Sequence, residues 1–331
     1  MVGKDENSRM TICSFGRFAR ENARSQRLQW RAAKAIVSIA LAMLAFARTT
    51  SAQAETATAF SSIAVAPQRL SNGSPFLLTV NLARKVSAVR GTWTGRPILF
   101  FQTKANLGGN TWYALAGVDV ETTPGTYPLE VEAKTDEGQI LKTSIPIAVA
   151  AANYRSGTLS VPENFVAPDA ATQKEIAADK ELKDRIFAKS APEPEWSGDF
   201  LKPVKAPATD SFGTRRTFNG KLASIHRGMD FRAPTGTAIS AANSGRIILA
   251  RKLFYEGNCV VIDHGQGLMT IYMHLSRFDV AEGATVIKGQ HLGLSGATGR
   301  VTGPHLHFAA RWQGAYVDPA GLFALPLTGK P

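Results

Sequence analysis

Between about residues 58 and 150, apolar residues come in short runs separated by turn signals. Residues 76–80 and 97–101 are two such runs. Pro124-Gly125 opens a turn, after which Tyr127, Leu129 and Val131 alternate with Pro128, Glu130 and Glu132. Asp136-Glu137-Gly138 then turns the chain into another apolar run over 140–149. Alternation with a period of two places successive side chains on opposite faces of a strand. Strands at such spacing, joined by Gly- and Pro-bearing turns, predict an immunoglobulin-like β-sandwich over residues 55–151. The Cys…Trp…Cys signature of true immunoglobulin domains is missing, so the pattern predicts the architecture alone.

The pattern changes at residues 168–190. Pro168-Asp169 predicts a helix start with Asp169 as N-cap, and Ile176, Leu182, Ile186 and Phe187 form a partial apolar face among charges. Pro192, Pro194, Gly198 and Pro203 come next. Residues 152–205 therefore read as a linker carrying one helix, which could dock on either neighbour or shield a groove. From Phe212 onward the chain is strand-rich again, with strands predicted over 245–250, 259–263 and 268–273. Gly283, Gly289, Gly293, Gly296 and Gly299 punctuate the stretch after residue 280. The whole reads as a mainly β protein with two folded parts, the second spanning 206–331, which is what 331 residues lead one to expect.

The N-terminus has a different character. Arg17, Arg20, Arg24, Arg27, Arg31 and Lys34 precede an apolar stretch over 35–47, and Ala52-Gln53-Ala54 offers small residues before Glu55. A basic region, a short apolar core and an A-x-A site read as a signal peptide over residues 1–54. The apolar stretch is short for a membrane span, which takes about 20 residues. The expectation is an exported protein, periplasmic or associated with the cell wall, that meets the membrane only transiently during export.

The net charge of +12 is divided by this cut. Residues 1–54 hold nine Lys/Arg against three Asp/Glu, and the remainder holds 29 against 23, so each part carries about +6. Such a surface suits an anionic polymer, cell wall or nucleic acid alike. Export and the lack of a basic-aromatic module argue against nucleic acid. The two cysteines, Cys13 and Cys259, fall on opposite sides of the predicted cleavage. A disulfide framework and a thiolate zinc site are thereby excluded. Cys259, in an apolar strand, reads as a small buried hydrophobe.

All six histidines lie in the last part: His226, His264, His274, His291, His305 and His307. In an extended chain, His305 and His307 point the same way with Leu306 opposite. They can form a ligand pair, or one ligand and one acid/base. His226 and Asp230 are four positions apart, so an extended run would also place them on one face. Two His and one Asp leave the fourth position of a tetrahedral zinc for water, the arrangement of a catalytic site. His274 ends an apolar run, where a lone His is more often packed or hydrogen-bonded than functional.

Taken together, these segments resemble the lysostaphin-type (LytM-type) zinc metallopeptidases over roughly residues 212–322. His226 to Asp230 matches the family's His-x-x-x-Asp, Tyr272 to Leu275 its Tyr-x-His-Leu, and Gly303 to His307 its Gly-Pro-His-Leu-His, in that order. Ala233 to Thr237, Ile262 to Gly265 and Gly296 to Arg300 match as well. The sandwich over 55–151 also looks like one found ahead of some such peptidase domains. The resemblance implies an antiparallel β-sheet peptidase domain with one Zn2+ held by His226, Asp230 and His307, and with His274 and His305 as the catalytic pair. His264 takes the place of a structural turn histidine, and His291 receives no role. The implied activity is hydrolysis of peptide bonds in peptidoglycan cross-bridges or stems through a zinc-bound water. Its implied partners are the peptidoglycan substrate and a regulatory protein. Some relatives have lost ligands and only activate other wall enzymes, so the alternative is a non-enzymatic wall-binding or amidase-activating protein with an occluded or idle zinc site.

Overall fold

The computed structural model describes residues 59–220 and 222–327. The expected signal peptide lies outside the described residues. Strands form where the alternation predicts them. Gly125–Lys134 and Ile140–Ala150 make an antiparallel hairpin, with Lys134 opposite Ile140 and Gly125 opposite Val149. Leu129, Val131 and Ala133 turn inward and Glu130 and Lys134 outward. The apolar run beginning at Pro97 is shorter than expected. Its strand is Arg96–Leu99, and Phe101 makes only an isolated bridge to Tyr113.

The hairpin, Leu70–Ser71, Ala88–Trp93 and Arg96–Leu99 form a five-stranded sheet. Phe60–Ala66, Pro75–Leu82 and Thr111–Gly117 form a three-stranded one. Trp93 joins the two sheets. Its ring meets Phe76 edge-on with centroids 5.5 Å apart, and its indole N–H donates to the Gly117 carbonyl at 3.0 Å. A fully buried indole thus fills the gap between sheets with its one polar atom paired.

The C-terminal part is built on a ten-stranded sheet. Leu268–Phe278 runs at its centre, antiparallel to Gly257–Asp263 on one side and Leu306–Trp312 on the other. These strands are apolar on both faces because both are covered. One face continues into the core shared with the N-terminal sheets. Under the other, Leu249, Leu253, Cys259, Val261, Met269, Ile271 and Ala309 form a second cluster, against which Leu182, Ile186 and Phe187 pack. Those three lie on the helix Ala170–Phe187, whose N-cap Asp169 accepts from the Thr172 N–H at 2.8 Å. The helix therefore docks on the C-terminal sheet, and Cys259 is buried beneath it.

The segment read as a linker is tied down along its length. Ser156–Leu159 pairs in parallel with Arg215–Phe218. The Gln266 and Glu195 N–H groups donate to the Ala191 and His264 carbonyls at 2.6 and 2.7 Å, while Trp196 and Phe200 are buried. Its Pro and Gly residues mark irregular backbone, and aromatic side chains anchor that backbone. Among the described residues, no helix is long and apolar enough to cross a membrane.

Candidate metal centre

Strand pairing assembles the site. In Met229–Phe231, Asp230 lies opposite His307 of Leu306–Trp312, and His307 lies opposite Met273 of Leu268–Phe278. His226 comes directly after the strand Leu222–Ile225. The run from His226 to Asp230 is not continuously extended, since one strand ends at Ile225 and the next begins at Met229. The two side chains meet because the chain is folded back at this junction, not through even spacing along one strand. Gly228 permits the approach: a Cβ there would collide with His307 Nε2 and sit 2.6 Å from the Phe308 carbonyl oxygen.

Three atoms converge. His226 Nε2 lies 3.0 Å from Asp230 Oδ1 and 2.9 Å from His307 Nδ1, which is itself 2.9 Å from Asp230 Oδ1. Ligand atoms bound at ~2.0–2.1 Å to one tetrahedral zinc lie about 3.3 Å apart. The triangle is thus close to the size of such a site, and all three residues are buried. Among the described residues, these three form the group able to hold a metal, with no fourth protein donor. The other atoms of two of these residues are engaged. His226 Nδ1 donates to the Ser211 carbonyl at 3.0 Å, which leaves the Nε2 lone pair facing the centre. Asp230 Oδ2 accepts from Arg216 Nη2 at 2.7 Å, and the same guanidinium holds Asp210 at 2.5 Å. Asp210 Oδ2 also lies 3.6 Å from His226 Nδ1.

His274 and His305 stand beside this triangle, their ring centroids 4.9 Å apart, with His274 6.0 Å from His307. Each donates its Nδ1–H to a backbone carbonyl at 2.8 Å, His274 to Thr298 and His305 to Gly303. Both Nε2 lone pairs are left available, and that of His305 lies 3.7 Å from Asp230 Oδ1. A register shift against Gly257–Asp263 inserts one extra residue at Met273–His274, and His274 adopts a positive φ of 65°. Such a bulge re-aims a side chain at some conformational cost.

Burial alone would raise the Asp230 carboxyl, but hydrogen bonds from His226 and His307 hold it far below the ordinary range. Burial pushes His307 down to about 4, with the Asp230 hydrogen bond opposing. Burial, reinforced by His307 and His305, pushes His274 down to about 3. The protein thus favours imidazoles with free lone pairs.

His264 lies in the core, its Nδ1–H donated to the Ser244 carbonyl at 2.6 Å and its Nε2 2.8 Å from Thr270 Oγ1. It is a packing residue. His291 is half-exposed and pairs with Asp279 at 2.7 Å. No motif or spacing points to Arg216 and Asp210. Arg215-Arg216 reads along the chain as surface charge, and only the fold brings Arg216 against Asp230.

The five residues line a cleft of ≈ 620 Å³, which Leu159, Val161, Phe218, Tyr255, Arg300 and Pro304 also line. Peptidase family M23 matches residues 224–319. Peptidoglycan DD-endopeptidase ShyA of Vibrio cholerae serotype O1 is 49% identical over 88 residues, covering 27% of this chain and 20% of that protein. The DD-carboxypeptidase/endopeptidase Mpg of Neisseria meningitidis serogroup B is 45% identical over 102 residues, 31% of this chain and 23% of that protein. The chain thus spans about a fifth to a quarter of the length of these curated relatives. A solved structure from Pseudomonas aeruginosa assigned to peptidase M23 superposes with a TM-score of 0.59 at 28% identity. It covers 77% of this chain and 95% of that one, taking in both sheet systems. Residues 224–319 of this chain are therefore a domain of peptidase family M23, the lysostaphin-type peptidases.

Proposed function

We propose that this chain is an exported zinc metalloendopeptidase that hydrolyses peptide bonds in peptidoglycan cross-links. One observation carries the reading: three buried donors converge with no fourth protein donor among the described residues, and two further imidazole lone pairs stand at the same cleft. The names of the matching relatives support the substrate class. The leader over residues 1–54 supports export.

The donor set suits zinc. Two neutral imidazoles and one carboxylate are the N/O ligands of an open catalytic site, and the 2.9–3.0 Å triangle fits a single small ion. His226, Asp230 and His307 would hold it. Bound there, zinc supplies Lewis acidity to water and to a carbonyl oxygen. The ionised Asp230, clamped by Arg216, offsets part of its charge. His274 and His305 act through Nε2. One accepts the proton from the attacking water, and an imidazolium formed there can return it to the leaving amine or hydrogen-bond the developing oxyanion. The Thr298 and Gly303 carbonyls fix both rings, so neither must reorient during the reaction.

Incubating the full-length zinc-loaded protein with cross-linked muropeptides should release un-cross-linked products, identified by mass spectrometry. His226→Ala and His307→Ala should each reduce release to background and abolish one-to-one zinc binding. Cleavage that survives both substitutions would overturn the reading.

A further inference from the structure

Three of the cleft's cations are matched to anions, and Arg300 is an informative exception. Lys183 of the helix Ala170–Phe187 pairs with Glu256. Arg216 is shared between Asp210 and Asp230, and Arg227 pairs with Glu121 at 2.5 Å. Arg232 is exposed to solvent. Arg300 differs from all of these. It is half-buried, and no side-chain hydrogen bond or ion pair among the described residues engages its guanidinium. Its Cζ lies 4.4 Å from the Tyr255 ring centroid and 4.5 Å from that of Phe218. Two rings thus engage the faces of a guanidinium whose N–H donors have no carboxylate. Burial lowers its pKa, opposed by the nearby Tyr255 hydroxyl and by the Glu256 carboxylate, which is itself paired with Lys183.

The surroundings hold this group in place. The Arg300 N–H donates to the Tyr255 carbonyl at 2.9 Å, and the Thr298 hydroxyl oxygen accepts from the Asn258 N–H at 2.9 Å. A Cβ on Gly299 would collide with the Gly257 nitrogen, so the two turns are in backbone contact. Phe165, from the segment ahead of the peptidase domain, packs on Phe254 and Tyr255 with centroids 5.1 and 6.4 Å away. The same loop fixes His274, whose Nδ1–H is donated to the Thr298 carbonyl. Arg300 and one member of the proposed catalytic pair are therefore referenced to a single rigid turn two residues apart.

We propose that Arg300 is the cleft's carboxylate-recognition residue, taking a free carboxylate of the cross-linked peptide near the bond to be cut. A planar fork of donors, stacked on aromatic faces, suits bidentate recognition of a carboxylate better than a point charge does. The proposal rests on the peptidase reading of the cleft. Wall peptides offer such a carboxylate at a chain end or on a side chain, and the test separates the two.

Three cross-linked peptides, N-methylated at the scissile amide to prevent hydrolysis, are titrated by calorimetry into the full-length zinc-loaded protein. One has all carboxylates free, one is amidated at the chain end, and one is amidated on the side chain. One of the two amidations should weaken binding by about tenfold or more, as expected when a charged hydrogen-bonded pair is lost. In Arg300→Gln the free-acid peptide should bind no better than that amide, and Arg300→Lys should keep part of the preference. Equal binding of all three peptides to the unsubstituted protein overturns the proposal whether or not any variant folds. Equal weakening of all three by Arg300→Gln also overturns it, since that is what a purely structural stack would give. The titration needs no turnover, so acid-selective binding by a protein that never cuts would sink the peptidase reading and leave this one standing.

Discussion

Asp230 divides its two oxygens between different tasks. Oδ1 faces His226 and His307, and Oδ2 is held by Arg216 at 2.7 Å. Removing the clamp leaves a buried carboxylate free to rotate and short of one partner. Losing such an outer-shell partner typically costs about 10–100-fold in metal affinity. Arg216→Met should lower zinc affinity by that factor in a chelator competition, while Arg215→Met, on the exposed neighbour, should leave it unchanged. Equal affinities in the two variants would remove Arg216 from the site. The three converging donors and both flanking histidines could be picked out in the sequence because each sits in a motif of fixed spacing. Arg216 could not, because its partner lies fourteen positions away and only folding joins them. His264 offers a second test at this scale. Burial lowers it from 6.5 to about 4, so the fold keeps it neutral where the unfolded chain protonates it. The unfolded chain then binds more protons, and stability present above pH 6.5 is lost as pH falls toward 4. Over the whole window this is worth roughly 3 kcal/mol. Urea midpoints measured with chelator at pH 7 and pH 5 should show the loss. His264→Asn should flatten the dependence, and an unaltered slope would assign the titration elsewhere.

Elements were legible wherever the hydrophobic period was unbroken. The alternation at Tyr127, Leu129 and Val131 became a strand, and Asp169 capped the helix it was expected to cap. Two features escaped. The run over 268–273 continues to Phe278 through a bulge, and a polar His with a positive φ inside a strand carries no periodic signal. Pro192, Pro194, Gly198 and Pro203 announce irregular backbone but say nothing of what covers it. The cover is aromatic: Trp196 meets Phe101 of the N-terminal sheets at 5.4 Å and Phe200 at 6.2 Å, and Phe200 meets His264 at 5.2 Å. This short segment is therefore a tie between the two sheet systems. Truncating a buried aromatic of this size costs about 3–5 kcal/mol. Trp196→Ala should lower the urea midpoint accordingly, with an unchanged m-value if the denatured state is unaltered. A loss below roughly 1 kcal/mol would mean that the segment adds nothing as a tie.

At the scale of the molecule, the domain boundary that composition suggests is crossed by one continuous core. Polar contacts cross it as well. Arg96 donates to the Gln313 carbonyl at 3.1 Å, Asp119 accepts from the Tyr316 N–H at 3.0 Å, and the Asp318 N–H donates to the Gly73 carbonyl at 2.7 Å. At Gly117, which already accepts from Trp93, a Cβ would lie 2.5 Å from Val317 Cγ1. Domains joined by small polar interfaces move and melt separately, whereas a shared apolar core couples them. Residues 59–327 should therefore unfold in one cooperative transition. Hydrogen exchange read out by mass spectrometry in increasing urea, with chelator present, tests this by region. Amides of Gly125–Lys134 and of Leu268–Phe278 should lose protection at the same denaturant concentration. Gly117→Ala, by overpacking the junction at a cost of roughly 1–3 kcal/mol, should lower both midpoints together. If the N-terminal hairpin lost protection well before the central strand of the C-terminal sheet, the two parts would be separate folding units. The walls that Leu159 and Val161 give the cleft would then be only as stable as the weaker part.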